Sequence, residues 1–469
     1  MAKVVKDGFD AIHSETINSK TINSDTLNFQ AISADYDVVI AGGGMVGASL
    51  ALLLAHHSKE QLKVLVVESF PLPKSEPLQP SSAHTHTQSQ KKPGQKKPAP
   101  LYSASFDARS TALSYGSRLI LEPLGLWPTL AAHTAEINTI HVSDRGHFGS
   151  TTLRCDEVDW PSLGYVVENT WFGRVLLAAL REKNNVAFCA PATAKKIIPR
   201  RAGVELLVET EGDSKNILSQ LAIVADGANS SLREQLGIDT TESDYRQVAL
   251  ISNVSFRNPH QGCAFERFTA QGPIALLPLT NSEQGEPRSA LVWSLPKDQA
   301  RHVSECTEQQ FLEMLQQRFG HRLGEFTRVG DRFSYPLKLV EAQEQVRSGI
   351  VVMGNAAHSL HPVAGQGFNL ALRNCARLTR LLIEAYSKHK PQQRHLGALS
   401  LLQRYAQQQA FDQHKTIGFS DRLPSLFGSQ QWALSIFRSI GLGVLDVTPA
   451  VKSQFIRHAA GLNDGAAQA

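Results

Sequence analysis

Hydrophobic and polar positions divide the chain into unlike stretches. Residues 1–33 are polar, rich in Ser, Thr and Asn, and carry no apolar period, which predicts a loose tail. Globular patterning starts at Asp35. An apolar strand (Asp37–Ala41), a glycine turn, an apolar helix (Gly44–His57) and a second strand (Lys63–Glu68) predict a βαβ unit. Residues 71–101 are rich in Pro, Ser, Gln and Lys and predict a solvated insertion with a local basic run. Beyond it, Ser110–Leu121 and Trp171–Arg181 read as helices, and His141–Ser143, Gly203–Glu209 and Leu221–Ala225 as strands. From Gln247 to Leu295 apolar and polar residues alternate between polar turns, the pattern of a β-rich segment. Gly349–Met353 reads as a buried strand, Gly367–Lys388 as a long helix, and Leu401–Leu462 as helical with scattered aromatics. The division expected is a tail (1–33), a discontinuous α/β domain (34–244 and 341–400, with 71–101 inserted), a β-rich domain (245–340) and a helical C-terminal region (401–469).

Composition narrows the classes. Hydrophobic residues make up 42% of the 469 positions and charged residues 19%, which excludes a wholly disordered chain. A formal net charge of +4 is too small to argue for nucleic acid, so no nucleic-acid partner is expected. The five cysteines are odd in number, widely spaced and form no C-x-x-C pair. Disulfide scaffolds and zinc ribbons are therefore disfavoured and a reducing compartment fits best. The N-terminal segment lacks an apolar core and holds Asp7, Asp10 and Glu15, unlike a secretory or mitochondrial leader, so a cytoplasmic location is expected. Val38–Ala55 is uncharged and close to membrane-spanning length. Four glycines in its first half make a buried strand-turn-helix the better account.

Candidate chemistry begins at that turn. Gly42-Gly43-Gly44-Met45-Val46-Gly47 matches G-x-G-x-x-G between a strand and a helix. The first glycine (Gly42) makes the tight turn, the second (Gly44) admits a pyrophosphate to the backbone, and the third (Gly47) lets helix and strand pack closely. The helix N-terminus then presents N–H groups and a positive dipole end to phosphate. Glu68 ends the next strand, placed to accept hydrogen bonds from a ribose 2′-OH, which favours FAD or NAD over NADP.

Two further segments follow strands: Ala225-Asp226-Gly227-Ala228-Asn229-Ser230-Ser231-Leu232-Arg233, and Gly354-Asn355 continuing to HPVAGQGFN at 361–369. With the glycine motif they resemble the class A flavoprotein aromatic hydroxylases, built like para-hydroxybenzoate hydroxylase. The resemblance spans Asp35 to about Leu423. FDARSTALSYGS (106–117), HVSDRGHFG (141–149) and FERFTAQGPIALLPL (265–279) narrow it to the ubiquinone-biosynthesis hydroxylases. Two departures stand out: the family's Gly-Asp is Gly354-Asn355, and its signature Gly and Asp are Ala371 and Asn374.

The resemblance implies a Rossmann-like FAD-binding domain with an inserted β-rich substrate domain. It also implies NAD(P)H as co-substrate and hydroxylation, by O2 through a flavin C4a-hydroperoxide, of a polyprenylated phenol of the 2-polyprenyl-6-methoxyphenol type. Carried over by position, Gly42, Gly44, Gly47 and Glu68 hold the ADP half of FAD. Arg109 reaches phosphate and ribose, Asn169 and Arg174 belong to a helix start near the pyrophosphate, and Asp226 and Gly227 serve FAD and transiently NAD(P)H. Gly354 and Asn355 lie on the ribityl side, and Gly367, Phe368 and Asn369 lie beneath the pyrimidine. His361, Pro362 and Gly365 shape the loop over the flavin at the reacting centre. His358 and His361 lack the partners a metal would need, and G-x-S-x-G and H-E-x-x-H are both missing, so no metal is expected. Phe265, Phe268, Ile274, Leu276, Leu277, Pro278 and Trp293 fit either a substrate pocket or an ordinary sheet core. Other quinone-synthesis proteins are expected partners. The aromatic, basic C-terminal region (Phe427, Trp432, Phe437, Arg438, Phe455) is a candidate for peripheral membrane contact. A hydroxylase of a small soluble aromatic and an FAD-dependent prenyl reductase remain as alternatives.

Overall fold

The computed structural model describes residues 32–72, 109–145, 150–201, 203–360, 365–388, 395–428 and 448–462. Most of the expected tail and insertion lie outside the described residues, as do His361 and Pro362 and the side chains of Phe427, Trp432, Phe437 and Arg438.

The βαβ unit forms as the pattern predicts: β1 (Asp35–Ala41), α1 (Met45–His57) and β2 (Val64–Val67). β1 centres an eight-stranded sheet. It runs parallel to β2 on one side and to the strand Ser214–Val224 on the other. Val186–Cys189 and Ile350–Val352 extend the parallel run outward. Both faces are covered, which explains the near-continuous apolar run of β1. Val38 and Ile40 pack under α1 and the helices Asn169–Arg181 and Gln366–Lys388. Val39 and Ala41 face Ile197, Val204 and Leu206 of an antiparallel extension. α1 is buried from Gly47 through Ala55, and each of its buried leucines contributes about 1.5–3 kcal/mol.

A second, nine-stranded sheet is built mostly from residues 240–342. Its long strand Thr240–Phe256 pairs antiparallel with Arg288–Pro296 and Phe333–Ala342. Two further strands come from far earlier in the chain. Thr139–Asp144 pairs parallel with Cys263–Phe268, and Ser150–Arg154 closes the edge beyond it. One face is covered by the helices Lys297–Glu305 and Glu308–Phe319. Phe265, Ile274, Leu276 and Trp293 lie in that core, so these four form sheet interior and not a pocket wall.

The segment Ser110–Leu121 departs from expectation. It opens as a strand, β3 (Ser110–Ser114), and only then becomes a helix, α2 (Tyr115–Leu121). Two tertiary effects override the helical pattern. β3 pairs antiparallel with Gly164–Glu168, and the Ser114 hydroxyl caps the helix by accepting from the Ser117 N–H. No helix among the described residues is long and apolar enough to cross a membrane.

A buried charge cluster joins the helices Gln366–Lys388 and Leu399–Gly428. Asp412 accepts from Arg373 Nε at 2.8 Å and Nη2 at 3.0 Å, and from Arg377 Nη1 at 2.8 Å. Burial alone would raise the Asp412 pKa, but the two guanidinium groups outweigh it and hold the carboxyl down at about 2. A depressed carboxyl pKa stabilises the fold above its unfolded value and loses that contribution as pH falls toward about 2. Asp412→Asn leaves two buried cations underpaired. We expect it to cost about 3–5 kcal/mol at neutral pH, read as a lower urea midpoint, with the difference from wild type shrinking in acid.

Candidate functional site

Three separated stretches of backbone converge at the C-terminal ends of the parallel strands. The first is the turn between β1 and α1. Gly42 sits at φ +110°, and a Cβ there would collide with the Ala225 carbonyl at the end of Ser214–Val224. A Cβ at Gly47 would collide with the Gly42 carbonyl. Gly44 caps α1 with no side chain, and the first turn carries no acid, so the helix offers its N–H groups outward. Glu68 holds the turn: its Oε2 accepts from the Gly43 N–H at 2.7 Å and its Oε1 from the Phe70 N–H at 2.9 Å. A carboxylate has capacity left for ribose hydroxyls after two such bonds.

The second stretch is Ala225–Ser230. Asp226 Oδ2 accepts from the Leu232 N–H at 3.3 Å, while Oδ1 is buried with no partner. Burial raises the Asp226 pKa against the opposing hydrogen bonds of Ser230 and Leu232. Gly227 follows in a left-handed conformation with open space beside it.

The third is the turn Gly354–Ala356, where Gly354 packs on Val46 of α1 and Asn355 is exposed. Sequence reasoning passed over the residue that locks the last two stretches together. Arg233 is buried, and its Nη1 donates to the Ala228 carbonyl at 3.2 Å and the Ala356 carbonyl at 2.9 Å. Its place within the Asp-Gly segment was the available signal.

The remaining expected residues gather around β3. Asn169 is buried, accepts from the Thr111 hydroxyl at 2.6 Å, and donates its backbone N–H to the Arg109 carbonyl at 2.8 Å. The Arg109 guanidinium lies over the Tyr335 ring, 4.9 Å from its centroid, so it reaches the second sheet. Arg174 lies over Trp171 on its own helix. Phe368 packs edge-on to Phe172. The Asn369 side chain is committed to the fold. It donates to the Ala112 and Gly365 carbonyls, both at 2.8 Å, and accepts from the Ser114 N–H and the Ser117 hydroxyl. At this helix start, backbone N–H groups and not the Asn369 side chain are left to meet a ligand, and the space beside Gly367 is open. His358 is buried with Nδ1 3.2 Å from the Gly354 carbonyl, and burial lowers its pKa. Among the described residues no three His, Cys, Asp or Glu side chains gather as metal ligands.

These features fit a dinucleotide: a cradle too tight for side chains, an uncapped helix start, an acid at the ribose position and an orphaned buried Asp226 oxygen. A family described as FAD binding domain matches residues 102–409. The chain belongs to that FAD-binding family. FAD is its cofactor.

Relatives agree. Ubiquinone hydroxylase UbiL of Rhodospirillum rubrum is 31% identical over 425 residues, covering 91% of this chain and 89% of its own. 3-Demethoxyubiquinol 3-hydroxylase of Escherichia coli is 29% identical over 436 residues, covering 91% and 98%. These relatives bear out the resemblance to ubiquinone-biosynthesis hydroxylases. In fold, the crystal structure of p-nitrophenol 4-monooxygenase PnpA from Pseudomonas putida matches with a TM-score of 0.69 at 15% identity, covering 92% of this chain and 99% of that one. The Rossmann-like FAD-binding fold with its β-rich companion sheet is therefore the fold of this chain.

Because the Gly47 collision is with backbone, Gly47→Ala is expected to lose about 1–3 kcal/mol of stability and to purify with less flavin, read by absorbance and thermal melting. Gly44→Leu is expected to abolish flavin retention, because its side chain occupies the pyrophosphate approach.

Proposed function

We propose that this FAD-binding protein hydroxylates the aromatic ring of a polyprenylated phenol, of the 2-polyprenyl-6-methoxyphenol type, in ubiquinone biosynthesis. NAD(P)H supplies the reducing equivalents and O2 the oxygen. The observation that carries this reading is the face that the second sheet turns toward the FAD-binding unit. Ala264, Leu279 and Ala290 pack there against Ile137, Leu163 and Val166, while Ile140 and Leu277 beside them are only partly buried. An aliphatic, half-covered wall suits a ring with a hydrocarbon tail. The names of the relatives point to the same substrate class.

When bound, FAD would supply the redox chemistry that activates O2 for transfer to the ring. The protein binds, orients and excludes water. Gly42, Gly44, Gly47 and Glu68 take the adenosine end. Arg109, Asn169, Arg174, Asp226, Gly227, Gly354 and Asn355 take the middle of the cofactor. The N–H groups of Gly367, Phe368 and Asn369, at a helix start, would stabilise negative charge on the ring system when it is bound and reduced. Gly365 turns the chain at φ +59° into that helix, and the family resemblance assigns His361 and Pro362, just before it, to the reacting centre. The aliphatic wall keeps water from the reacting centre. A tail delivered from a lipid phase calls for peripheral membrane contact or hand-over by other quinone-synthesis proteins. Phe455 packs on Phe419 and stays half-exposed on the C-terminal helix.

Turnover under ¹⁸O2 is expected to place one ¹⁸O atom in each product ring, with a prenylated methoxyphenol preferred over its unprenylated parent. Product without ¹⁸O would point to a reductase, and preference for the short phenol to a hydroxylase of soluble aromatics.

A further inference from the structure

The strand Cys263–Phe268 sends its side chains alternately to the two faces of the second sheet. Phe265 goes to the helix-covered face, among Trp293, Phe311 and Leu315. Alternation sends Arg267 the same way and sends Glu266, with Ala264, to the face turned toward the FAD-binding unit. Register places Glu266 in one row with Val142, Ala275, Val292 and Ile251. Its direct neighbours in that row, Val142 and Ala275, are aliphatic, and the row ends in Thr151 on one side and Phe333 on the other. Glu266 Oε1 is buried and has no hydrogen-bond partner. An orphaned carboxyl oxygen in aliphatic surroundings destabilises the fold unless a ligand answers it.

We propose that Glu266 accepts the phenolic proton of the ring substrate. The inference rests on the phenol reading given under Proposed function. The phenol O–H bond breaks and its proton passes to the Glu266 carboxylate. The electron pair stays on the phenol oxygen, enriching the ring carbons ortho and para to it. The proton passes to water when product leaves.

Burial pushes the Glu266 pKa up to about 7, where a carboxylate is a competent base near neutral pH. The other charged groups around this face are held at its margins. Arg288 pairs with Glu168 at 2.9 Å, Arg109 lies over Tyr335, and Lys452 of the C-terminal helix pairs with Glu157 at 2.7 Å. Asp144 lies two residues beyond Val142 on its strand and is the nearest acid in register.

The test uses the FAD-loaded full chain and 2-methoxy-6-geranylphenol as probe. Glu266→Gln is expected to keep wild-type flavin content and to lose turnover by about 10²-fold or more. It is also expected to lose the pH limb of kcat that the wild type shows. Wild-type kcat should rise with pH through about 7, and Glu266→Asp should move that limb to lower pH. A Gln variant within about tenfold of wild type, or one that keeps the wild type's pH limb, overturns the proposal. An unmoved limb in Glu266→Asp overturns it too, and decides the matter should the Gln protein fail to fold. If the wild type itself puts no ¹⁸O into the probe, the phenol reading fails and this inference fails with it. If the wild type does and Glu266→Gln matches it, only the role of Glu266 falls.

Discussion

The fold depends on backbone meeting backbone at one point. Gly42, Gly47 and the carbonyl of Ala225 come so close that no side chain fits between them. β1 can register between β2 and Ser214–Val224, and α1 can start where it does, only if that contact is made. Arg233 extends the contact to the third stretch by bridging two carbonyls from opposite sides of a buried position. Pocket geometry is thus set by main-chain atoms and one guanidinium, which deform little.

Local chemistry was legible in the sequence, and long-range pairing was not. The glycine turn, α1, β2 and Glu68 were readable because spacing along some thirty residues dictates them. The strand Ser110–Ser114 was hidden, since its partner at Gly164–Glu168 lies fifty residues away and its last residue doubles as a helix cap. The helices at Lys297–Glu305 and Glu308–Phe319 went unread inside a β-rich pattern, although Thr307 and Gln310 form a capping box ahead of the second one. At the site, residue identity was readable and division of labour was not. The sequence placed Asn369 at the helix start but did not show that its side chain spends all its bonds on Ala112, Ser114, Ser117 and Gly365. The Ala371 and Asn374 departures fall on a helix where both side chains are buried, so they bear on packing around Arg373 more than on the cofactor wall.

Electrostatics separate structural charge from chemical charge. Asp412 is buried with two arginines and is held ionised. Glu266 is half-buried, with Oε1 cut off from solvent beside aliphatic neighbours, and is pushed toward its neutral form. Both are carboxyls in an apolar interior, and what differs is the presence of a cation. The first joins two helices. The second stores an unmet hydrogen-bonding demand on a wall facing the cofactor unit.

The parallel pairing of Thr139–Asp144 with Cys263–Phe268 makes the second sheet a composite of two distant chain segments. Residues 245–340 are therefore not a module that can be lifted out whole, because excising them strips the sheet of an edge it needs. Chimeras that exchange substrate walls between family members must carry residues 139–154 along with the later segment, and natural divergence of the two must be correlated for the same reason.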